Sequence, residues 1–339
     1  MRVLVLSDAR PSAAGHSSLR RRALLGVATW VAGFGVAPSI AAEDAYPTRA
    51  IKLIVPYPPG AATDGISRAF AQELSRLLGQ TVVVENRAGG GSAVGIATAK
   101  SQPADGYTLL VHAEGFYSAK IATPALGYEF SDFEILAPLA QSSYALIVPA
   151  DRGWTRLEDL KGVSRELDFG TIDLGVGVYS MMASRTAEGL GITYRTIPFK
   201  GGSEGLTAIV SGQIDAYFTT IGTTQAVKDN PKVKVLASTN RMGSDNFLPG
   251  VKTFQEHGVP NLVMSSSYSL AIRADTPAPI RDRISRAASQ AVASEAMKTA
   301  RRRLYLEAYG GNLEDYRRDQ DRVRKEFETA AAVGAKATR

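Results

Sequence analysis

The residues best suited to chemistry in this sequence form a loop that could bind an anion through its backbone. The segment reads Tyr57-Pro58-Pro59-Gly60-Ala61-Ala62-Thr63-Asp64, after a short apolar run and before an amphipathic helical pattern. The first N–H groups of a helix have no partner inside it, and the helix dipole adds partial positive charge, so such a position attracts anions. The glycine would let a ligand approach the backbone closely. A plainer alternative is a tight turn in which Thr63 or Asp64 caps the helix.

A second loop of the same kind reads Gly170-Thr171-Ile172-Asp173-Leu174-Gly175-Val176-Gly177-Val178-Tyr179-Ser180. It joins a predicted strand to a predicted helix, and in open α/β sheets ligands bind beyond the carboxyl ends of the strands. Its amides and hydroxyls could therefore face a cleft. The alternative is a flexible connection whose glycines only satisfy the geometry of the turn.

A third glycine-rich turn, Gly89–Gly95, loosely matches a dinucleotide-binding motif of the form Gly-x-Gly-x-x-x-Gly. The turn follows the second strand of its unit, and no acidic residue ends a strand about twenty residues later, as that motif requires. Asp105 precedes the next strand instead of ending it. The motif is therefore weak, but it keeps an NAD(P)-dependent oxidoreductase as the alternative function.

The sequence offers little for catalysis. It has no cysteine, which excludes thiolate chemistry, disulfides and cysteine-based metal sites. It also has no His-Glu-x-x-His motif and no phosphate-binding P-loop. His112, near Glu114, is predicted to be a hydrogen-bonded neighbour, His257 to lie on a surface loop, and Arg301–Arg303 to form a solvated helix face. We therefore predict a protein that is not an enzyme and has no cofactor or metal.

Alternating strands and helices must position these loops. Apolar runs predict strands near Ile51–Pro56, Thr81–Glu85, Tyr107–Val111, Ala145–Pro149, Leu167–Thr171, Tyr194–Pro198, Ala216–Thr219, Val233–Ser238 and Tyr268–Ile272. Helical periodicity predicts helices near Ile66–Leu78, Ala93–Lys100, Tyr179–Leu190, Gly205–Ser211, Gly222–Asp229, Pro279–Ser294, Glu295–Leu306 and Leu313–Val333, the last with Asn312 as its N-cap. This order predicts two α/β units with parallel strands, and the lack of a low-complexity linker favours a rigid pair that meets at a cleft.

The N-terminal segment is typical of a secretory signal. Three arginines, Arg20–Arg22, precede the apolar run Ala23–Ala37, and small residues follow at Ser39 and Ala41. This order predicts a signal peptide over residues 1–41, cleavage near Ala41 and export through the inner membrane into the periplasm. The alternative is a single membrane-anchor helix, and the choice between the Sec and twin-arginine routes stays open.

The charge distribution argues against a nucleic-acid-binding protein. The chain of 339 residues carries a formal charge of +6, but residues 1–41 contain five arginines and one aspartate. The rest of the chain therefore carries +2, and residues 42–272 alone carry −3. Because the body of the chain has no basic, aromatic-rich groove, any captured anion must be held by oriented amides and not by bulk positive charge.

Several motifs occur in an order that is typical of one protein family. They are Tyr46-Pro47-Thr48-Arg49-Ala50-Ile51 leading into Pro56–Asp64, then Gly79-Gln80-Thr81-Val82-Val83-Val84-Glu85-Asn86-Arg87, Asp105-Gly106-Tyr107-Thr108-Leu109-Leu110, Pro198-Phe199-Lys200-Gly201-Gly202 and Thr276-Pro277-Ala278-Pro279. Together they resemble the Bug proteins, which are the solute-binding proteins of tripartite tricarboxylate transporters. The resemblance covers nearly all of residues 46–335.

The resemblance implies an α/β, type II periplasmic-binding-protein fold with a ligand cleft at the hinge. Domain 1 would comprise residues 46–142 and 265–339, and domain 2 residues 143–264. The protein would be a monomer that captures a small organic acid by hinge closure and delivers it to membrane permease subunits or a sensor domain. When the family's ligand-binding motifs are matched to this sequence, the resemblance implies these ligand-binding residues: Tyr57, Pro59, Gly60, Ala61, Ala62, Thr63, Asp64, Glu114, Gly175, Gly177, Tyr179, Ser180, Thr219 and Thr220.

This sequence departs from the family pattern at the predicted ligand site. Family members often have two glycines where this chain has Gly60-Ala61, and their second loop is richer in hydroxyl side chains. Glu114 stands where small or hydroxyl residues are common, and an ionised Glu would repel a second ligand carboxylate. We therefore expect either a monocarboxylate with an apolar body or a ligand whose cationic or N–H group meets Glu114.

Overall fold

The computed structural model describes residues 46–173, 177–199, 202–240, 247–259, 262 and 264–337, with side chains up to residue 329. The predicted signal peptide, Gly175 and part of the Pro198–Gly202 motif lie outside the described residues. In the part of the chain that the structure describes, no helix is both long enough and apolar enough to cross a membrane.

The elements alternate between strands and helices, as the sequence predicts. The strands are β1 Ile51–Val55, β2 Val82–Asn86, β3 Thr108–His112, β4 Phe133–Pro149, β5 Leu167–Thr171, β6 Tyr194–Pro198, β7 Ala216–Thr220, β8 Val233–Ser238 and β9 Ser265–Arg273. The helices are α1 Ala62–Leu78, α2 Ala93–Lys100, α3 Gly115–Ala122, α4 Val178–Leu190, α5 Gly202–Val210, α6 Ile221–Gln225, α7 Ala278–Ala293, α8 Glu295–Arg303 and α9 Leu313–Ala337. The predicted N-cap is confirmed, since Asn312 Oδ1 accepts from the Asp315 amide at 2.9 Å.

One long strand, β4, joins the two halves of the sheet. Within the described residues the strands follow the order β2-β1-β3-β9-β4-β7-β5-β6, and β8 also pairs with β4. The first part of β4 pairs with β9 from Phe133 to Ser143, and the rest pairs with β7 and β8 from Tyr144 to Pro149. Strands β1, β2 and β3 are parallel to one another, as are β5, β6 and β7.

The site loops are positioned by helices with clear local signals. Helix α1 buries Ile66, Phe70 and Leu74 on one face, at the spacing of an amphipathic helix, and Gly79 ends it in the left-handed conformation with φ of 69°. Helix α2 packs closely on β1, because a Cβ at Gly95 would lie 2.6 Å from Pro56. The loops that follow strands β1, β3, β5 and β7 therefore lie at the carboxyl ends of these strands, where the sequence predicts ligand binding.

Candidate functional site

Helix α1 begins with backbone N–H groups that are free to bind an anion. Its N-cap residue, Ala61, is extended and makes no side-chain capping bond. Among the described residues, no acceptor lies within hydrogen-bond distance of the Ala62 and Thr63 amides. Thr63 and Asp64 do not cap the helix, so the plainer alternative for this loop is wrong. Free amides at the start of a 17-residue helix favour a carboxylate by about 0.3–1 kcal/mol, and by more where they are partly buried.

Asp64 holds the loop that precedes this helix. Its carboxylate accepts the Gly60 amide at 3.0 Å, the Arg68 guanidinium at 3.0 Å and the Asn86 side chain at 3.0 Å. Asn86 also donates to the Tyr57 carbonyl at 3.1 Å. Although burial alone would raise the pKa of Asp64, the bonds from Arg68, Gly60 and Asn86 lower it below its usual value. Asp64 therefore acts as an anchor of the loop, which is one of the roles expected for it.

A small cavity of about 260 Å³ lies at the start of α1. Its lining residues are Ala62, Ser142, Thr220, Gly222, Thr223, Tyr268, Arg303, Leu304, Tyr305 and Leu306. Arg303 is exposed and makes no ion pair with any described residue. This small cavity thus combines the first residue of α1, hydroxyl groups and an uncommitted guanidinium, which together suit a carboxylate.

Glu114 lies at the centre of a cluster of hydroxyl groups. Its carboxylate accepts the Ser266 hydroxyl at 2.9 Å and the Tyr144 hydroxyl at 3.3 Å. The Ser266 hydroxyl oxygen also lies 3.2 Å from the Tyr268 hydroxyl, from which it can accept a hydrogen bond. Burial raises the pKa of Glu114, and the bonds from Ser266 and Tyr144 only partly offset that effect.

Glu114 also lines a second, large cavity of about 1250 Å³, together with Ser143, Val178, Ser265 and Ser267. The large cavity extends to α9 and to the basic side chains of Lys298, Arg301, Arg302, Arg318 and Arg322. Both cavities share Leu306 in their walls.

Tyrosine side chains surround the Glu114 carboxylate. Burial, and after it the charge of Glu114, raises the pKa of Tyr57, Tyr144 and Tyr179 well above the usual value. The same two causes raise the pKa of Tyr268 to about 12. Tyr144 and Tyr179 meet edge to face with ring centroids 5.6 Å apart. The hydroxyls near Glu114 therefore stay protonated and act as hydrogen-bond donors at neutral pH.

The N terminus of α4 is already occupied by a carboxylate of the chain itself. Asp173 accepts the Tyr179 amide at 2.8 Å and the Ser180 amide at 3.1 Å. It also accepts the Ser180 hydroxyl. A Cβ at Gly177 would lie 2.3 Å from the Asp173 carboxylate, so only glycine fits there. The amides that the sequence predicts to hold a ligand thus hold Asp173 in this structure.

The other predicted site residues lie in three kinds of position. Pro59, Gly60 and Ala61 are exposed on the loop before α1. Thr220 lines the small cavity and caps α6, whereas Thr219 is buried and pairs with Ala145 in the sheet. The structure therefore brings Tyr57, Glu114 and Tyr179 into one cluster and places Ala62 and Thr220 at the small cavity.

Two histidine predictions have different outcomes. His112 is buried and lies 3.3 Å from the Ser269 hydroxyl, which confirms it as a hydrogen-bonded neighbour; burial lowers its pKa to about 3. The prediction of a surface loop position for His257 is only partly right: the residue lies in a turn of intermediate exposure, but its side chain is only 7% exposed and its Nδ1 lies 2.8 Å from Glu158.

The prediction of a solvated Arg301–Arg303 face is also wrong in part. Arg301 is buried and donates to the Leu139 carbonyl at 3.1 Å and the Val292 carbonyl at 2.9 Å. Burial lowers the pKa of this guanidinium. Only Arg302 and Arg303 are exposed.

Sequence reasoning missed several residues of the site. They are Asp173, Tyr144, Ser266, Tyr268 and Arg303. Asp173 had a usable signal, since an aspartate shortly before a predicted helix often accepts its first amides. Tyr144, Ser266 and Tyr268 had none, because strands β4 and β9 bring them to Glu114 from positions 30 and 152 residues away.

The geometry of the glycine-rich turn gives no support to a dinucleotide site. Gly89, Gly90 and Gly91 all have positive φ values, and Ser92 is left-handed at 91°. The turn leads into the short helix α2, whose Gly95 is needed for packing on Pro56. The described residues also contain no cluster of His, Asp or Glu that could hold a metal ion.

Comparison with known proteins places the chain among transport receptors. A family model described as tripartite tricarboxylate transporter family receptor matches residues 66–334. The UPF0065 protein in the TAR-I ttuE-ttuC' intergenic region of Agrobacterium vitis is 32% identical over 266 residues, 76% of this chain and 73% of that protein. Protein BugT of Bordetella pertussis is 30% identical over 295 residues, 82% of this chain and 87% of that protein.

A solved structure of an R. palustris protein with adipate has the same fold. It superposes with a TM-score of 0.72 at 23% identity, over 85% of this chain and 97% of that chain.

Proposed function

Because the chain belongs to the tripartite tricarboxylate transporter receptor family, we propose that it captures a small ligand with a single carboxylate at the N terminus of α1. Members of this family are solute-binding receptors of the periplasm, and the related fold has been solved with a carboxylate, adipate, in another protein. The observation that carries the proposal is the free N-terminal turn of α1, whose first residue, Ala62, lines a cavity that also contains Arg303.

Hinge closure is the proposed mechanism of capture. The two halves of the sheet would be domains 46–142 with 265–339 and 143–264, and β4 changes partners at Ser143 and Tyr144, where these domains would meet. A carboxylate at Ala62 would also meet Thr220 from the other half, because both line the small cavity. Ligand contacts from both halves would shift the population towards the closed form.

The closed form would act as the signal to a membrane partner. Permease subunits or a sensor domain would recognise the closed surface of the monomer, after export and signal-peptide cleavage near Ala41. Tight capture requires no chemical step, so we propose a receptor without enzymatic activity. An NAD(P)-dependent oxidoreductase is not supported, because the family is one of receptors and the Gly89–Gly95 turn packs as a structural turn.

Arg303→Gln is expected to weaken binding of hexanoate, a one-carboxylate probe, about three- to tenfold, because it removes a charge-assisted bond to the carboxylate. The measurement is isothermal titration calorimetry with protein purified from the periplasm. Arg286→Gln on α7 is the matched control, since Arg286 is exposed and lines neither cavity.

Two results would contradict the proposed function. One is that no straight-chain acid of three to eight carbons binds the wild-type protein, and the other is stabilisation by NAD(P) alone. Native mass spectrometry of the periplasmic protein would then identify what it carries.

A further inference from the structure

Glu114 is a half-buried acid without a basic partner among the described residues, and it lines the large cavity, which shares Leu306 with the small cavity at the start of α1. We propose that the ligand is an amino carboxylate, whose protonated amine binds between the Glu114 carboxylate and the rings of Tyr57 and Tyr179. This inference rests on the proposed function, because the ligand carboxylate is taken to lie at the start of α1. It names the group at the other end of the ligand.

Glu114 has no positively charged partner among the described side chains. Its partners among the described side chains are the hydroxyls of Ser266 and Tyr144, and no described Lys, Arg or His forms an ion pair with it. A buried carboxylate without a cation loses solvation that neutral donors only partly replace. A ligand ammonium would supply the missing charge and up to three N–H donors.

Aromatic rings lie around the Glu114 carboxylate. Tyr57, Glu114 and Tyr179 each keep part of their surface exposed, whereas Tyr144 is fully buried behind them. The face of a tyrosine ring carries negative potential, so rings beside a carboxylate favour a cation over a neutral alkyl group. An ammonium placed at Glu114 would contact these rings without displacing any basic side chain.

A second acid, Asp173, lies near Tyr179 of the same cluster. Asp173 lies close enough to Tyr179 for its charge to raise the pKa of that hydroxyl, after the larger effects of burial and Glu114. It is held on the Tyr179 and Ser180 amides at the start of α4. A second ligand carboxylate here would meet two acids and no free amide, and is therefore disfavoured relative to an ammonium.

A competing possibility is that Glu114 is protonated and binds a neutral group of the ligand. The pH dependence of binding distinguishes this possibility from binding of an ammonium group. The titratable groups that face Glu114 are Tyr57 after β1, Tyr144 on β4, Tyr179 on α4, Tyr268 on β9 and Tyr316 on α9. Burial raises the pKa of each of these tyrosines, so they stay neutral between pH 5 and 8 as do free tyrosines.

His112, two residues from Glu114, does not titrate in that range either, since burial lowers its pKa to about 3. Primary amines stay protonated there as well, with a pKa near 10. Burial raises the pKa of Glu114, and it also raises the pKa of Glu307, which lines the same large cavity. A pH dependence of amine binding is therefore assigned to Glu114 only where Glu114→Gln removes it.

The test is calorimetric titration with matched pairs of acids: 4-aminobutanoate with butanoate, 5-aminopentanoate with pentanoate, and 6-aminohexanoate with hexanoate. In the wild-type protein we expect the amino acid of the best pair to bind at least about tenfold more tightly than its partner. Its affinity should rise with pH as Glu114 ionises, while that of the plain acid should not. Glu114→Gln should reduce the difference within the pair to about twofold or less.

A second variant tests the inference independently in case Glu114→Gln does not fold. Tyr179→Leu keeps the charge but removes one ring, and should reduce the preference for the amine about three- to fivefold. Equal or weaker binding of every amine relative to its plain acid would overturn the inference and leave the proposed function intact. The same holds if Glu114→Gln keeps the full preference. No binding of any of these acids would overturn the proposed function itself, and with it this inference.

Discussion

Asp64→Ala is expected to destabilise the protein by about 2–3 kcal/mol and to weaken carboxylate binding at least about tenfold. The substitution removes the acceptor of the Gly60 amide, the Arg68 guanidinium and the Asn86 side chain. The three donors can regain water, because Gly60 is exposed, Asn86 is half-buried and Arg68 is 53% exposed, so each lost bond costs about 0.5–1 kcal/mol. Since domains are stable by about 5–15 kcal/mol, the variant should fold, and its affinity can be measured.

The binding effect of Asp64→Ala follows from the loop and not from a lost ligand contact. Gly60 has a φ of 89°, a conformation that its bond to Asp64 holds in place. When that bond is lost, the Ala62 and Thr63 amides no longer share one fixed direction, and ordering them again on binding costs free energy. Chemical denaturation and calorimetry with hexanoate measure the two effects.

Glu73→Ala on the same helix is the control for Asp64→Ala. Among the described residues, Glu73 pairs with Arg76 alone, at 3.3 Å, and that guanidinium is 65% exposed, so the change should cost less than about 1 kcal/mol and leave affinity unaltered. Equal effects of the two variants would contradict the anchoring role of Asp64.

The contribution of Asp64 should also depend on pH. Its pKa is lowered in the folded protein, so its charge stabilises the fold fully above the unfolded pKa near 3.9. That contribution is lost as the pH falls from there through the lowered folded pKa. The difference in unfolding free energy between the wild-type protein and Asp64→Ala should therefore be constant from pH 5 to 8 and shrink below pH 4.

The family, the α/β fold and the solute-binding role could all be predicted from the sequence, and they are confirmed. Local signals were sufficient because short apolar runs and helical periodicity mark most of the elements. Two elements were missed for physical reasons. The first half of β4 carries Pro138, Gln141 and Ser142, which interrupt the apolar pattern of a buried strand. Helix α3 has only eight residues and begins at Gly115, which lowers its helix propensity.

The loop after β1 was easier to predict than the site as a whole. All contacts of Asp64 come from residues within 22 positions, and the turn and helix signals stand together in the sequence. The Glu114 cluster forms only when β4 and β9 lie side by side, so its partners come from distant positions. The division into domains and the ligand contacts themselves stay predictions, and the variants described here test them.

Asp173→Ala is expected to shift specificity towards dicarboxylates. In the wild-type protein the Asp173 carboxylate takes the Tyr179 and Ser180 amides, which a second ligand carboxylate would otherwise use. An anion at a partly buried helix N terminus is stabilised by about 1–2 kcal/mol, or about five- to thirtyfold in affinity. The affinity for adipate relative to hexanoate should therefore rise by about that factor in Asp173→Ala, measured by calorimetry at constant salt.

Asp173→Asn separates the charge of Asp173 from its role as a cap. The asparagine oxygen can still accept the α4 amides, so stability should stay near that of the wild type, whereas Asp173→Ala should lose about 1 kcal/mol. Because Asn keeps the amides occupied but removes the repulsion, its gain for adipate should lie between those of the wild type and Asp173→Ala. If both variants changed stability alone and left the ratio of adipate to hexanoate unaltered, Asp173 would be only a cap. A ratio that rises in the order Asp, Asn, Ala would show that the chain uses its own carboxylate to exclude a second one from the ligand.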